Sequence, residues 1–171
     1  MKTILYMALT VNGKIAGADD DTSWTSKEDW QGFFAKAQEV GVIIIGRNTY
    51  EVIKKEQTLI PGIKLRIVVT HHQPKVMPSH TIFTDALPEK ILTLIEEKGY
   101  DAALVAGGGQ INSLFLKAGL IDELYIDIEP LILGRGISLF ADGDFAPRLK
   151  LIEVKTLTNR QTIQLHYKII K

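Results

Sequence analysis

Apolar and polar positions alternate between two periods over the first two-thirds of the chain and settle on one period in the last third. Residues 3–9 form an apolar, strand-like run. The stretch that follows, Val11-Asn12-Gly13-Lys14-Ile15-Ala16-Gly17-Ala18-Asp19-Asp20-Asp21, is rich in turn formers and predicts a long loop. Trp30, Phe33, Phe34, Ala37 and Val40 then recur at helical spacing, so residues 27–39 are expected to be an amphipathic helix stopped by Gly41. Val42-Ile43-Ile44-Ile45 is apolar on both faces and too short for a helix, as a central parallel strand requires, and Gly46 ends it. Residues 48–55 read as helix. Leu65-Arg66-Ile67-Val68-Val69-Thr70 reads as a strand closed by His71-His72-Gln73-Pro74.

A short strand at 81–83 leads to a helix over 88–98, with Ile91, Leu94 and Ile95 on its inner face and Gly99 as its stop. Ala102-Ala103-Leu104-Val105-Ala106 then runs into Gly107, Gly108 and Gly109, and Ile111, Leu114, Phe115 and Ala118 mark a helix over 110–118 that closes at Gly119. The apolar stretches at 122–133, 149–157 and 161–170 all read as strand. Alternation of strand and helix followed by strands alone predicts an α/β sheet whose parallel core is completed by antiparallel strands. No repeat, low-complexity segment or linker interrupts the 171 residues, so residues 1–171 are expected to form one domain.

Composition removes several classes of function. No apolar run approaches the roughly 20 residues that cross a bilayer, and the first residues enter a strand without a cleavage pattern, so a cytoplasmic protein with no membrane partner is expected. Lys and Arg number 20 against 20 Asp and Glu, which leaves no chain-wide attraction to nucleic acid or anionic lipid. Cysteine is absent, and with it thiolate catalysis and zinc–sulfur sites. No His/Asp/Glu spacing suggests a metal, and Ser23 and Ser26 have no nucleophile-elbow context.

The chemistry is therefore expected at the turns after the parallel strands, which open on one edge of such a sheet. Three turns fall there: Gly46, Arg47, Asn48 and Thr49; Thr70, His71 and His72; and Gly107, Gly108, Gly109, Gln110 and Ile111. The glycines offer bare backbone N–H groups at a helix start, Arg47 a cation and Thr49 a hydroxyl, the donors that an anion needs. Glycines after a strand can also do no more than permit a tight turn. The spacing is not the Rossmann fingerprint, since Asn112 stands where its third glycine would fall. Asp29 is the carboxylate that stands out, at the mouth of the crevice. Ser26-Lys27-Glu28-Asp29 equally resembles a capping box.

Taken in order, Leu9-Thr10-Val11-Asn12-Gly13-Lys14-Ile15-Ala16-Gly17, Trp24-Thr25-Ser26, Ile45-Gly46-Arg47-Asn48-Thr49-Tyr50, Ala106-Gly107-Gly108-Gly109 and Gly119-Leu120-Ile121-Asp122-Glu123-Leu124 resemble the dihydrofolate reductase-like superfamily. They look most like its branch containing the C-terminal reductase domain of the bifunctional riboflavin-biosynthesis protein. The resemblance covers essentially the whole chain. It implies a three-layer sandwich with helices on both faces of a mixed sheet, and an NADPH-dependent reductase that delivers a hydride to a C=N or C=O carbon of a pteridine, pyrimidine or related heterocycle. It places Ala8, Ile15 and Ala16 along the nicotinamide and Gly107, Gly108, Gly109, Gln110 and Ile111 around the pyrophosphate. Arg47, Asn48 and Thr49 would hold the other side, with Arg47, His71 and His72 near the 2′-phosphate.

By the same resemblance Asp29 takes the position of the carboxylate that grips the substrate ring and assists its protonation, Phe33 that of an aromatic packed on the ring, and Trp30 lies beside them. Asp127 stands where dihydrofolate reductases use a threonine. The riboflavin branch typically carries Arg and His on the first helix for a ribose phosphate, where this chain presents Trp30, Phe34 and Gln38. The resemblance also implies a homodimer, with the strands at 122–133 and 161–170 as candidate surfaces. A non-catalytic nucleotide-binding protein using the same crevice is the alternative.

Overall fold

Among the described residues, local sequence preference and burial together set fourteen elements, in the order β1 (Lys2–Thr10), β2 (Lys14–Ala16), α1 (Lys27–Val40), β3 (Val42–Gly46), α2 (Arg47–Lys55), β4 (Leu65–Val69), β5 (Thr81–Thr84), α3 (Pro88–Glu97), β6 (Ala102–Val105), α4 (Gly109–Lys117), β7 (Glu123–Glu129), β8 (Ile137–Ser138), β9 (Arg148–Thr156) and β10 (Ile163–Ile170). They come from a computed structural model of the chain, which describes residues 1–55, 60 and 62–171.

Eight strands form one sheet in the order β5-β4-β3-β6-β1-β7-β10-β9. The pairs from β5 through β7 are parallel, whereas β10 runs antiparallel to both β7 and β9. Helices α1 and α2 cover one face, where Ala37, Tyr50 and Ile53 pack on Ile43, Ile45, Leu104 and Tyr6. Helices α3 and α4 cover the other, where Ile91, Ile95 and Phe115 pack on Leu5, Ile44, Ile67 and Val105. The β3 isoleucines divide between the two cores. Ile43, Ile44 and Ile45 are wholly buried, and each is worth about 1.5–3 kcal/mol as an apolar side chain removed from water.

Helix α1 begins at Ser26, whose side chain accepts from the Asp29 N–H, and ends at Gly41, which turns left-handed at φ 76° and donates to the Ala37 carbonyl. Proline at the first position starts α3, and Gly99, at φ 85°, follows its end.

Two connections differ from the expectation. The stretch read as a loop at 11–21 contains β2, which pairs antiparallel with β8, a partner more than a hundred residues away. Strand β4 passes to β5 through residues 70–80 without a helix, so the turn holding Thr70, His71 and His72 is not a strand-to-helix turn. The apolar stretch at 122–133 also stops being strand at Glu129, where Pro130 follows.

Candidate active site

Strand alternation sends Tyr6 of β1, Asp127 of β7 and Gln164 of β10 to the α1 side of the sheet, in adjacent rows. Their polar atoms close on one another. The Tyr6 hydroxyl donates to Asp127 Oδ2 at 2.8 Å, and Gln164 Nε2 donates to Asp127 Oδ1 at 2.8 Å and lies 3.0 Å from the Tyr6 oxygen. Asp29 reaches this cluster from the first turn of α1. It is 4% exposed, and its Oδ1 has no hydrogen-bond partner among the described residues.

Half of the capping box expected at Asp29 forms, since the Asp29 N–H bonds Ser26 Oγ, but the reciprocal bond does not. In a closed capping box its carboxyl would accept the Ser26 N–H, but Glu129 Oε1 takes that proton at 2.9 Å. Glu129 Oε2 accepts in turn from the buried Thr162 hydroxyl at 2.8 Å, and Asn159 Nδ2 donates to the same hydroxyl oxygen. With the helix start capped by Ser26 and Glu129, the Asp29 side chain is left facing the cleft.

Burial and the neighbouring acid set the protonation of the pair. Burial first, then the charge of Asp127 and a hydrogen bond with it, push the Asp29 carboxyl up to about 9. Burial also raises Asp127, but the donors Gln164 and Tyr6 favour its ionised form. One proton is thus shared between two carboxyls, and the hydrogen bonds leave it on Asp29. Burial and Asp127 raise the Tyr6 phenol as well, which keeps Tyr6 a donor.

Asp29 lies at one end of a cleft of about 500 Å³, with Tyr6, Thr22, Thr25, Trp30 and Phe33 around it. Ala8, Ile15, Ala16, Ala106 and Ile137 line its middle. Its other end is made by Gly46, Arg47, Asn48 and Thr49 and by Gly108, Gly109, Gln110 and Ile111. There α4 starts at Gly108 with no side-chain cap, and the first turns of both α2 and α4 carry no acid. The uncapped start of α4 and the acid-free first turn of α2, which Arg47 begins, therefore open on the cleft, while α1 at the far end is capped by Ser26. The β3 and β7 strands that carry the two ends are three strand spacings apart, roughly 14 Å.

The glycines at this end serve different needs. A Cβ on Gly46 would meet Ile111 Cγ1 at 2.9 Å, and one on Gly109 would run into the Ser138 carbonyl. Gly107 sits at φ 91°, and the peptide between it and Gly108 is cis. Gly108 alone of the three is not demanded by packing: its Cβ would find only Thr49 Oγ1, at an ordinary 3.7 Å. Its bareness faces the cleft. Asn112, in place of a third fingerprint glycine, is buried and donates to the Leu139 carbonyl, pinning the loop that closes over α4.

Of the residues singled out by sequence, Asp29, Trp30, Phe33, Ala8, Ile15, Ala16, the turn 46–49 and residues 108–111 line the cleft. Asp127 lies behind its wall, hydrogen-bonded to Tyr6, and Gly107 contributes its carbonyl to the Gly46 N–H. Thr70, His71 and His72 are not among the lining residues. The His71 side chain is 86% exposed and points to Asp85, and Thr70 Oγ1 accepts the His72 N–H. Tyr6, Glu129, Thr162 and Gln164 went unnoticed in the sequence. The alternation in Asp127-Ile128-Glu129 was the available signal, since it puts two acids on one face of a strand.

Comparison with known proteins agrees with this architecture. The family described as the RibD C-terminal domain matches residues 1–163. The protein YwjB of Bacillus subtilis (strain 168), itself uncharacterized, is 30% identical over 170 residues, covering 97% of each chain. A 2,5-diamino-6-ribosylamino-4(3H)-pyrimidinone 5′-phosphate reductase of Methanothermobacter thermautotrophicus is 25% identical over 180 residues, covering 82% of this chain and 83% of its own. A solved structure from Shewanella sp. PV-4, named provisionally for riboflavin biosynthesis, superposes with a TM-score of 0.85 over 100% of both chains at 23% identity. The mixed sheet with its antiparallel C-terminal strands is the dihydrofolate reductase-like fold of these RibD-type neighbours. The chain belongs to the RibD C-terminal domain family.

Proposed function

We propose that residues 1–171 form a single NADPH-dependent reductase domain that delivers a hydride to a C=N or C=O carbon of a small heterocycle, of pteridine or pyrimidine type. The observation that carries this reading is the polarity of the cleft. A buried, protonated carboxyl with one oxygen lacking a partner among the described residues stands at one end, and the uncapped start of α4 with the Arg47 cation stands at the other. Reduction of a C=N bond needs both, because the carbon gains a hydride and the nitrogen a proton. The name of the Methanothermobacter relative supports the same reaction class.

The cation end fits a dinucleotide phosphate. Gly108 leaves open space over the α4 amides, Thr49 and Arg47 flank it, and no first-turn acid repels an anion there. NADPH, when bound, supplies the hydride. Ala8, Ile15 and Ala16 offer flat, apolar contact in the middle of the cleft. Trp30 and Phe33, with ring centroids 6.0 Å apart, wall the place for a planar ring. Asp29 orients that ring and gives up the proton, directly or through a water, and takes a proton back from solvent before the next turnover, while Asp127 stays ionised behind it. The protein acts in the cytoplasm as a homodimer. Leu149, Leu151 and Val154 of the edge strand β9 are 42–54% exposed and, with Ile163 of β10, form an apolar strip that no helix covers. Light scattering on a Val154→Lys variant tests that strip, and a monomer is expected.

Thermal melts with NADPH and NADH test the cofactor, since a ligand that binds only the folded state raises its melting temperature. NADPH should stabilise the protein more than NADH, and Arg47→Ala should weaken NADPH selectively, by about 1–3 kcal/mol for a lost charged hydrogen bond. No shift with either cofactor at millimolar concentration removes the proposal. NADPH binding without oxidation by any heterocycle would leave the nucleotide-binding protein in its place.

A further inference from the structure

The two ends of the cleft differ in charge far more than a phosphorylated substrate would tolerate. Among the described residues that line it, Arg47 is the one cation, and it belongs to the end assigned to the cofactor. At the ring end the lining carries the acid Asp20 and the protonated carboxyl of Asp29, with the acids Asp127 and Glu129 buried directly behind. Of the nearby lysines, Lys36 Nζ lies 2.8 Å from Glu39 and over the Tyr125 ring, Lys14 Nζ bonds Ser138 Oγ, and Lys27, the first residue of α1, is not among the residues that line the cleft.

Helix α1 could have offered its N-terminus to a phosphate, as α2 and α4 do at the other end. Two N–H groups at its start are already taken. Ser26 Oγ accepts the Asp29 N–H, Glu129 of β7 accepts the Ser26 N–H, and Glu28 in the first turn opposes an anion there. What remains is an aromatic slot of Tyr6, Trp30 and Phe33 with one buried oxygen, Asp29 Oδ1, lacking a partner. A polar atom buried in this way is costly unless a ligand satisfies it.

We infer that this end of the cleft takes a neutral or weakly basic amino-heterocycle whose ring nitrogens meet Asp29, and rejects rings that carry a phosphoribosyl group. The inference rests on the reductase reading for which end the cofactor occupies. It separates this chain from the pyrimidinone 5′-phosphate in the name of the Methanothermobacter relative. Recognition runs through the ring alone. A sugar phosphate placed here would meet Asp20 on the lining and Asp127 and Glu129 behind it, and no cation among the described lining residues at this end.

The test is calorimetry with three matched compounds: 2,5,6-triaminopyrimidin-4-one, 2,5-diamino-6-ribosylamino-4(3H)-pyrimidinone, and the 5′-phosphate of the latter. Each is titrated with and without NADPH under anaerobic conditions. The free ring and the riboside should bind, and the 5′-phosphate should bind at least about tenfold more weakly than the riboside. Trp30→Arg, which sets a cation at this end, should narrow or reverse that ratio. The ratio in the unaltered protein decides the matter if the variant fails to fold. A 5′-phosphate that binds as tightly as the riboside, or no binding of any of the three, overturns the inference. Rings that bind in this order while NADPH neither binds nor is oxidised leave it standing and remove the reductase reading instead.

Discussion

Replacing Asp29 by Asn should make the protein more stable at neutral pH, against the usual cost of altering a buried polar residue. The Asp29 carboxyl is raised above its ordinary value of 3.8. Its contribution to stability is therefore greatest at pH below that value and is lost as pH rises toward the folded value of about 9. An unfolded chain ionises Asp29 at pH 7 while the folded one keeps it protonated. Each of the roughly three intervening pH units is worth about 1.36 kcal/mol, which gives a penalty of about 4 kcal/mol at pH 7 and between about 1 and 2 kcal/mol at pH 5. Asn is uncharged in both states and escapes this penalty. It leaves an amide hydrogen without a partner, at about 1–2 kcal/mol, and keeps the backbone N–H bond to Ser26. The net expectation is a gain of about 2–3 kcal/mol at pH 7 and almost none at pH 5. For a chain of this size that gain corresponds to a rise of roughly 5–10 °C in Tm. Denaturant titrations of both proteins at the two pH values read the difference directly. A change of the same size at both pH values, or a loss at pH 7, would refute the claim that Asp29 is held protonated.

Gly108 and Gly109 separate binding from packing. Gly109→Ala should cost several degrees of Tm because its methyl meets the Ser138 carbonyl, whereas Gly108→Ala should melt within about 1 kcal/mol of the parent and lose NADPH affinity. Equal melting of the two variants would contradict the contacts assigned to them. Tyr6→Phe removes a donor from the buried Asp127, a bond to a charged group worth about 1.5–3 kcal/mol, and chemical denaturation should show a loss of that size. Glu129→Gln puts an amide where carboxylate oxygens accept from Ser26 and Thr162. It should lower stability by about 2–3 kcal/mol and loosen the start of α1, seen as faster amide exchange at Ser26.

The sheet core and the helices were legible because their signals are local. The isoleucine run of β3 is apolar at every position, and the aromatic spacing of α1 repeats over three turns, so a short window suffices for each. Strands β2 and β8 are three and two residues long and exist through each other, which no local pattern can announce. The cation end was readable for a related reason, since a strand, its glycines and its helix are contiguous in the chain. The acid end was not. Tyr6, Asp29, Asp127 and Gln164 come from four separate elements, and the bonds among them span up to 158 residues. His71 and His72 were expected near a phosphate from their place after a parallel strand and from the resemblance. A loop replaces the expected helix after β4, and neither histidine is among the residues that line the cleft.

What most needs testing is whether a protonated Asp29 supplies the proton for a reduction whose hydride comes from a nicotinamide held in the middle of the cleft. The most direct measurement is single-turnover oxidation of NADPH by a panel of unphosphorylated pyrimidines and pteridines, run for the parent protein and for Asp29→Asn across pH 6 to 10. At least one ring should oxidise NADPH, with a rate that falls as pH rises through the Asp29 value of about 9. Asp29→Asn should bind NADPH normally and turn over slower by roughly two orders of magnitude or more, the share typical of a general acid. An unchanged rate in Asp29→Asn would remove Asp29 as the proton donor, and no oxidation by any ring on the panel would remove the reductase reading.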